Sequence, residues 1–237
     1  MIPFPFFPST GPTTLTLDSV SINNVFSGTS SIAIPIGTQV GDVAVLFNTA
    51  HSASTVSVSL TDWSAGWTAS STFLTNGTLF SVIIYKVITA SDLGTSVRLT
   101  WIGASGAISP IAANRKTLFV FRPNRDVNSL SVGSLQLSSI DVSGSITNSL
   151  TMSNAQTTVL GFYHHSTIQN FITTQSTGLT FSDLTNSGGS FGANLFGVSL
   201  TGYKVFNDDD VLPNGTMSNV TTSSGRKILQ SFYLQVD

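Results

Sequence analysis

The sequence predicts an all-β chain: a jelly-roll-like antiparallel β-sandwich with two similar halves and an extended N-terminal arm. Three observations predict it. The runs Val43-Ala44-Val45-Leu46-Phe47, Phe80 to Val87 and Lys116 to Phe121 are short, apolar and bounded by turn formers, which is the pattern of strands buried on both faces. Ser and Thr make up more than a quarter of the 237 residues and all eleven acidic residues are Asp, so strong helix formers are scarce and β and turn formers abundant. Turn chemistry recurs roughly every 8 to 12 residues, the rhythm of a sandwich or barrel.

In chain order, residues 1–12 form a Phe/Pro arm. Pro3, Pro5 and Pro8 block helix and keep the backbone extended. Phe4, Phe6 and Phe7 give this terminus a large apolar payload, and the arm reads as a segment that docks on a partner chain, with folding back on its own domain as the alternative. Strands are expected near Leu15–Val20, Ser30–Ile34, Val43–Asn48, Thr55–Leu60, Thr68–Phe73, Phe80–Val87, Ser96–Trp101 and Lys116–Arg122. Asn76-Gly77 between two apolar stretches is a hairpin signal.

The second half echoes the first in the same order. Thr158 to Phe162 echoes Val43 to Phe47. Leu195-Phe196-Gly197-Val198 and Tyr203-Lys204-Val205 echo Leu79-Phe80-Ser81-Val82 and Tyr85-Lys86-Val87. Arg226-Lys227-Ile228-Leu229 echoes Arg115-Lys116-Thr117-Leu118. A polar but β-patterned stretch joins the halves, so residues 13–237 read as one sandwich, with two tandem sandwiches, 13–125 and 126–237, as the alternative.

Composition narrows the function. Charged residues are 8% of the chain and the formal net charge is −2, which gives no basic footprint for nucleic acid. With no cysteine there is neither a disulfide framework nor a thiolate metal site. The N-terminus lacks the basic region and unbroken apolar run of a signal peptide, and no stretch has the length of a membrane span.

Few residues suggest chemistry. Under the half-to-half echo, His51 and the pair His164-His165 fall just past the ends of equivalent strands and could meet at one rim, where imidazoles can hold a transition metal. No acidic ligand lies near them in sequence, and the expectation is no metal and no cofactor. Asn207-Asp208-Asp209-Asp210 is the acidic cluster, but it lacks the spacing of a calcium loop. Trp63, in an expected loop Thr61-Asp62-Trp63-Ser64, is the candidate exposed aromatic for a ligand such as a sugar ring, whereas Trp67 reads as core. No nucleophile elbow, phosphate loop or dinucleotide fingerprint occurs, and no enzymatic activity is expected.

The pattern Ile34-Pro35-x-Gly37-x-x-x-Gly41-Asp42, an apolar strand, Gly66-Trp67-Thr68, and then Tyr85-Lys86-Val87-x-x-x-x-Asp92-x-Gly94 resembles β-sandwich virion proteins of tailed bacteriophages, of the tail-fibre, appendage and head-decoration type. The resemblance spans roughly residues 30–125. It implies a structural protein of the virion, assembled in the host cytoplasm, with other virion proteins and its own copies as partners, a trimer by analogy, and host-surface glycan as a contact. A tail fibre or appendage subunit is the first expectation, a head decoration protein the second, and a carbohydrate-binding domain of a surface protein the third.

Overall fold

A computed structural model describes residues 13–25, 29–52, 58–70, 74–76, 79–103, 111–140, 144–146, 149–151, 158–167, 174–177, 182–191, 195–206, 216–223 and 227–237. The described residues form antiparallel β-sheets, and their helical content is one 3-10 turn, Ala90–Asp92. The first half contributes β1 (Leu15–Val25), β2 (Thr29–Ala33), β3 (Val43–Ser52), β4 (Val58–Trp63), β5 (Thr68–Ala69), β6 (Leu74–Asn76), β7 (Leu79–Val87), β8 (Ser96–Gly103) and β9 (Ile111–Pro123). The second contributes β10 (Leu130–Ile140), β11 (Gly144–Ile146), β12 (Ser149–Thr151), β13 (Thr158–Thr167), β14 (Thr174–Thr177), β15 (Ser182–Phe191), β16 (Leu195–Phe206), β17 (Thr216–Ser223) and β18 (Lys227–Val236).

Sheet I runs β1-β9-β3-β7-β5, with β6 also on β7, and sheet II runs β2-β8-β4. Sheet III runs β10-β18-β13-β16-β15, and sheet IV runs β11-β17-β12, with β14 also on β17. The order of sheet III repeats that of sheet I strand for strand. Even the irregularity repeats: the β1–β9 register slips between Leu17 and Ser19, and the β10–β18 register slips between Val132 and Ser134. Each slip is a bulge, one extra residue that bends and twists its strand. Asp18 is the extra residue in the first half and Gly133 in the second.

The unbroken apolar run of β3 follows from what covers sheet I. Alternate residues of a strand point to opposite faces. Ala44, Leu46 and Ala50 pack with Phe80, Val82, Ile84, Leu118 and Val120 against Ile32, Val97, Leu99 and Trp101 of sheet II. Val43, Val45 and Phe47 face the other way, with Ile83, Tyr85, Phe119 and Phe121, and meet Leu160, Tyr203, Phe232, Leu234 and Val236 of sheet III. The second contact is aromatic. The rings of Phe47 and Phe232 lie 6.3 Å apart and those of Phe121 and Tyr203 5.1 Å apart, both edge-on, the arrangement that ring quadrupoles favour. The two halves therefore share a core.

The ladders correct the sequence echo. Val45 lies opposite Tyr85, and Phe162 lies opposite Tyr203, so with the two tyrosines matched Val45 corresponds to Phe162 and Phe47 to His164. The echo of Val43–Phe47 in Thr158–Phe162 thus stands two residues out of register. So does that of Arg115–Leu118, because Phe119 corresponds to Phe232. A shift of two keeps every side chain on its own face, whereas a shift of one would turn the strand over.

Candidate functional site

The residues of the motif Gly37-x-x-x-Gly41-Asp42 and Lys86-x-x-x-x-x-Asp92-x-Gly94 meet at one end of sheet I, the tip. Gly37 and Gly41 have φ of 101° and 94°, a left-handed backbone that side chains with a Cβ rarely adopt. They let residues 35–42 fold as two successive turns, closed by Thr38 N–H to Pro35 O and Asp42 N–H to Gln39 O. Gly41 N–H then donates to Ile88 O, Ile88 N–H to Asp42 O, and Ile34 N–H to Thr95 O. These bonds lock the 35–42 loop against the 88–95 loop.

Two buried carboxylates hold the pair of loops. Asp42 Oδ2 accepts from Gln39 N–H at 2.7 Å, and the Asp42 carboxylate takes the Arg122 guanidinium through Nε at 3.2 Å and Nη2 at 3.1 Å. Arg122 Nη2 also reaches Gly37 O at 2.9 Å and Asp18 Oδ1 at 3.0 Å. Asp92 accepts Lys86 Nζ at 2.7 Å and caps the 3-10 turn through Thr89 N–H and Oγ1. Burial raises the Asp92 pKa, and the bonds from Lys86 and Thr89 more than offset this and hold it below the ordinary carboxylate value. Gly66 completes the set: a Cβ there would stand 3.0 Å from Lys86 Nζ. The charged motif residues Asp42, Lys86 and Asp92 are thus spent on stapling loops. What the loops present is apolar, since Ile36 is fully exposed and Val40 and Leu93 are exposed beside it. An open cleft of about 220 Å³ adjoins Val40, floored by Asp42, Arg122, Pro123 and Asn124. The chain enters the sheet at this cleft, where Thr14 N–H donates to Asn124 Oδ1 and Arg125 Nε to Thr13 Oγ1.

A second polar cluster lies between sheets I and II. Trp101 Nε1–H donates to Asn48 Oδ1 at 2.7 Å, Asn48 Nδ2–H to Asn114 Oδ1 at 2.5 Å, and Lys116 Nζ to Asn114 Oδ1 at 3.0 Å and to Ser30 Oγ. Lys116 is 1% exposed, and burial lowers its pKa to about 7. Sequence reading missed this network, although Asn48, Asn114 and Lys116 share the strand parity of core residues.

The predicted site residues that lie among the described ones stand on three strands, β3, β4 and β13. Phe4, Phe6 and Phe7 lie outside the described residues, as does the Asp208–Asp210 cluster. Trp63 is the last residue of β4 rather than a loop residue. It is half-buried against the core between sheets I and II, and its indole N–H donates to Trp67 O at 3.0 Å. The histidines do not sit past strand ends: β3 continues through His51, opposite Leu79 and Ala113, and β13 through His164 and His165. These strands run on because they keep ladder partners on both sides. Among the described residues no three His, Cys, Asp or Glu stand together as metal ligands, and no helix is long and apolar enough to cross a membrane.

Comparison with family models, with curated proteins and with solved structures finds no match for this chain.

Proposed function

We propose that this chain is a bacteriophage virion structural protein, a tail fibre or tail appendage subunit that docks through its N-terminal arm and presents Ser/Thr-rich loops to the host surface. The observation that carries the reading is the tip. Its charged residues pair with one another in holding two loops, and those loops offer apolar side chains for contact rather than groups for a reaction. The strand order supports the setting. The order β1-β9-β3-β7, packed on β2-β8-β4, suits a jelly-roll-like sandwich, an architecture used by viral capsid and lectin domains. A jelly-roll-like sandwich with two similar halves would also suit a head decoration protein, which differs in where it sits on the particle. The third reading, a carbohydrate-binding surface domain, rests on Trp63, which is half-buried against the core and whose indole N–H donates to Trp67 O.

The test uses purified particles. The full chain is expected among the particle proteins, and imaging locates it on tail or head. Deleting residues 1–8 is expected to leave the thermal midpoint nearly unchanged and to prevent incorporation, since the prolines remove backbone donors and burying each Phe is worth about 1.5–3 kcal/mol. Absence of the full chain from particles, or incorporation of the truncated chain at wild-type level, overturns the reading.

A further inference from the structure

Beyond the aromatic contact, the space between sheets I and III turns polar. On sheet I, Arg115, Thr49 and Ser81 stand side by side on β9, β3 and β7, each directly opposite the next. On sheet III, Gln230, His164 and Thr201 stand in the same relation on β18, β13 and β16. Ser81 Oγ donates to Gln230 Oε1 at 2.6 Å and so joins the two rows. Arg115, Thr49, Ser81, Gln230 and Thr201 are each at most 5% exposed, and neither row contains a carboxylate. Gln230 Oε1 is thus satisfied, but its Nε2 has no hydrogen-bond partner among the described residues. Both atoms belong to one carboxamide, so this donor lies in the same gap between the sheets.

An unmade buried donor is costly, and buried polar atoms are as a rule paired with protein, water or an ion. The chemistry of the rows says what would fit. They offer a guanidinium, an amide N–H and hydroxyls, a set that suits a compact acceptor with several oxygens and repels a metal cation. Burial lowers the Arg115 pKa to about 9, and a neighbouring negative charge would counter that shift. The rows lie at the end of sheet I opposite the tip, three residues before β3 ends at Ser52. We propose that this layer binds one small oxyanion of the phosphate, sulfate or carboxylate class, held by the Arg115 guanidinium, the Gln230 amide and the Thr201 hydroxyl, while the Thr49 hydroxyl donates to Ser81 Oγ.

The experiment is a thermal melt of the full chain at neutral pH in sodium chloride, phosphate, sulfate and acetate at matched ionic strength, with calorimetric titration of inorganic phosphate. The expected result is a saturable rise in midpoint with at least one oxyanion and not with chloride, and about one site per chain. Gln230→Glu keeps an acceptor for Ser81 and places a carboxylate oxygen where the donor was, so the rise should be lost. Thr201→Val, which removes one hydroxyl, should weaken it and serves if the first variant fails to fold. Arg125→Gln, at the tip cleft, should leave it intact. No difference between the oxyanions and chloride overturns the proposal. So does an unsaturating rise, which marks an adventitious ion only, and so does a rise that survives Gln230→Glu or disappears in Arg125→Gln.

Discussion

Lys116 is an amine enclosed between two sheets, and its protonation is linked to folding. Its pKa falls from the ordinary lysine value of 10.5 to about 7 in the fold. Between those values the unfolded chain holds a proton that the folded chain does not. Stability therefore rises as pH rises from 7 toward 10.5, is level below 7 where both states are protonated, and is level again above 10.5. The slope contributed by this one group approaches about 1.4 kcal/mol per pH unit. Arg115 adds its own dependence only above about 9, so the window from roughly 7 to 8.5 isolates Lys116. Denaturant unfolding of wild type across that window should show the slope, and Lys116→Met should remove most of it; equal slopes in the two proteins would sink this account. The residue was legible as part of a strand, Lys116 to Phe121, but not as buried. Lysine is almost never fully buried and ordinarily carries its head to water along an apolar surface. Only the three-dimensional neighbours Ser30 and Asn114, which accept its hydrogen bonds, make enclosure tolerable.

At the level of elements, the bulges show how one architecture is built from two sets of residues. In β1 the extra residue Asp18 turns its carboxylate to Arg122. In β10 the extra residue is Gly133, and the Tyr233 ring occupies the space over it: an added Cβ would fall 1.6 Å from Tyr233 Cε2. Gly133→Ala must therefore displace a ring that is 8% exposed, and overpacking of this kind costs about 1–3 kcal/mol. The expected outcome is a lower denaturant midpoint with an unchanged slope, relieved when Tyr233→Leu is added. A Gly133→Ala protein as stable as wild type would mean that no ring covers the bulge. Most strands of the first half were legible because their apolar runs end in turn formers, and Asn76 pairs with Leu79 across the expected hairpin. The bulges were not legible. A bulge is a mismatch in count between two strands about a hundred residues apart, and neither strand alone carries it. The continuation of β3 through His51 was missed for the same reason, since polar residues after Phe47 suggest a loop until the ladder on both sides is known.

At the scale of the molecule, the repeated halves were visible as ordered echoes, but the way they meet was not. Which face of a doubly buried strand turns to which sheet leaves no periodic trace, because every position is apolar. The contact itself decides how the halves behave apart. Sheet I places Val43, Val45, Phe47, Ile83, Tyr85, Phe119 and Phe121 against sheet III. Cutting the chain near residue 125 would leave this face bare, an apolar patch of the kind that monomeric proteins rarely expose. Each large side chain uncovered forfeits about 1.5–3 kcal/mol of burial. The other face of sheet I, closed by sheet II, would still hold residues 13–125 in β structure. A fragment of residues 13–125 is therefore expected to retain a β far-ultraviolet spectrum, to bind a hydrophobic dye, and to self-associate in light scattering. Co-expression with residues 126–237 should suppress both dye binding and association. If instead the fragment alone is monomeric, excludes the dye and melts at the midpoint of the full chain, the aromatic contact between the sheets does not hold the halves together.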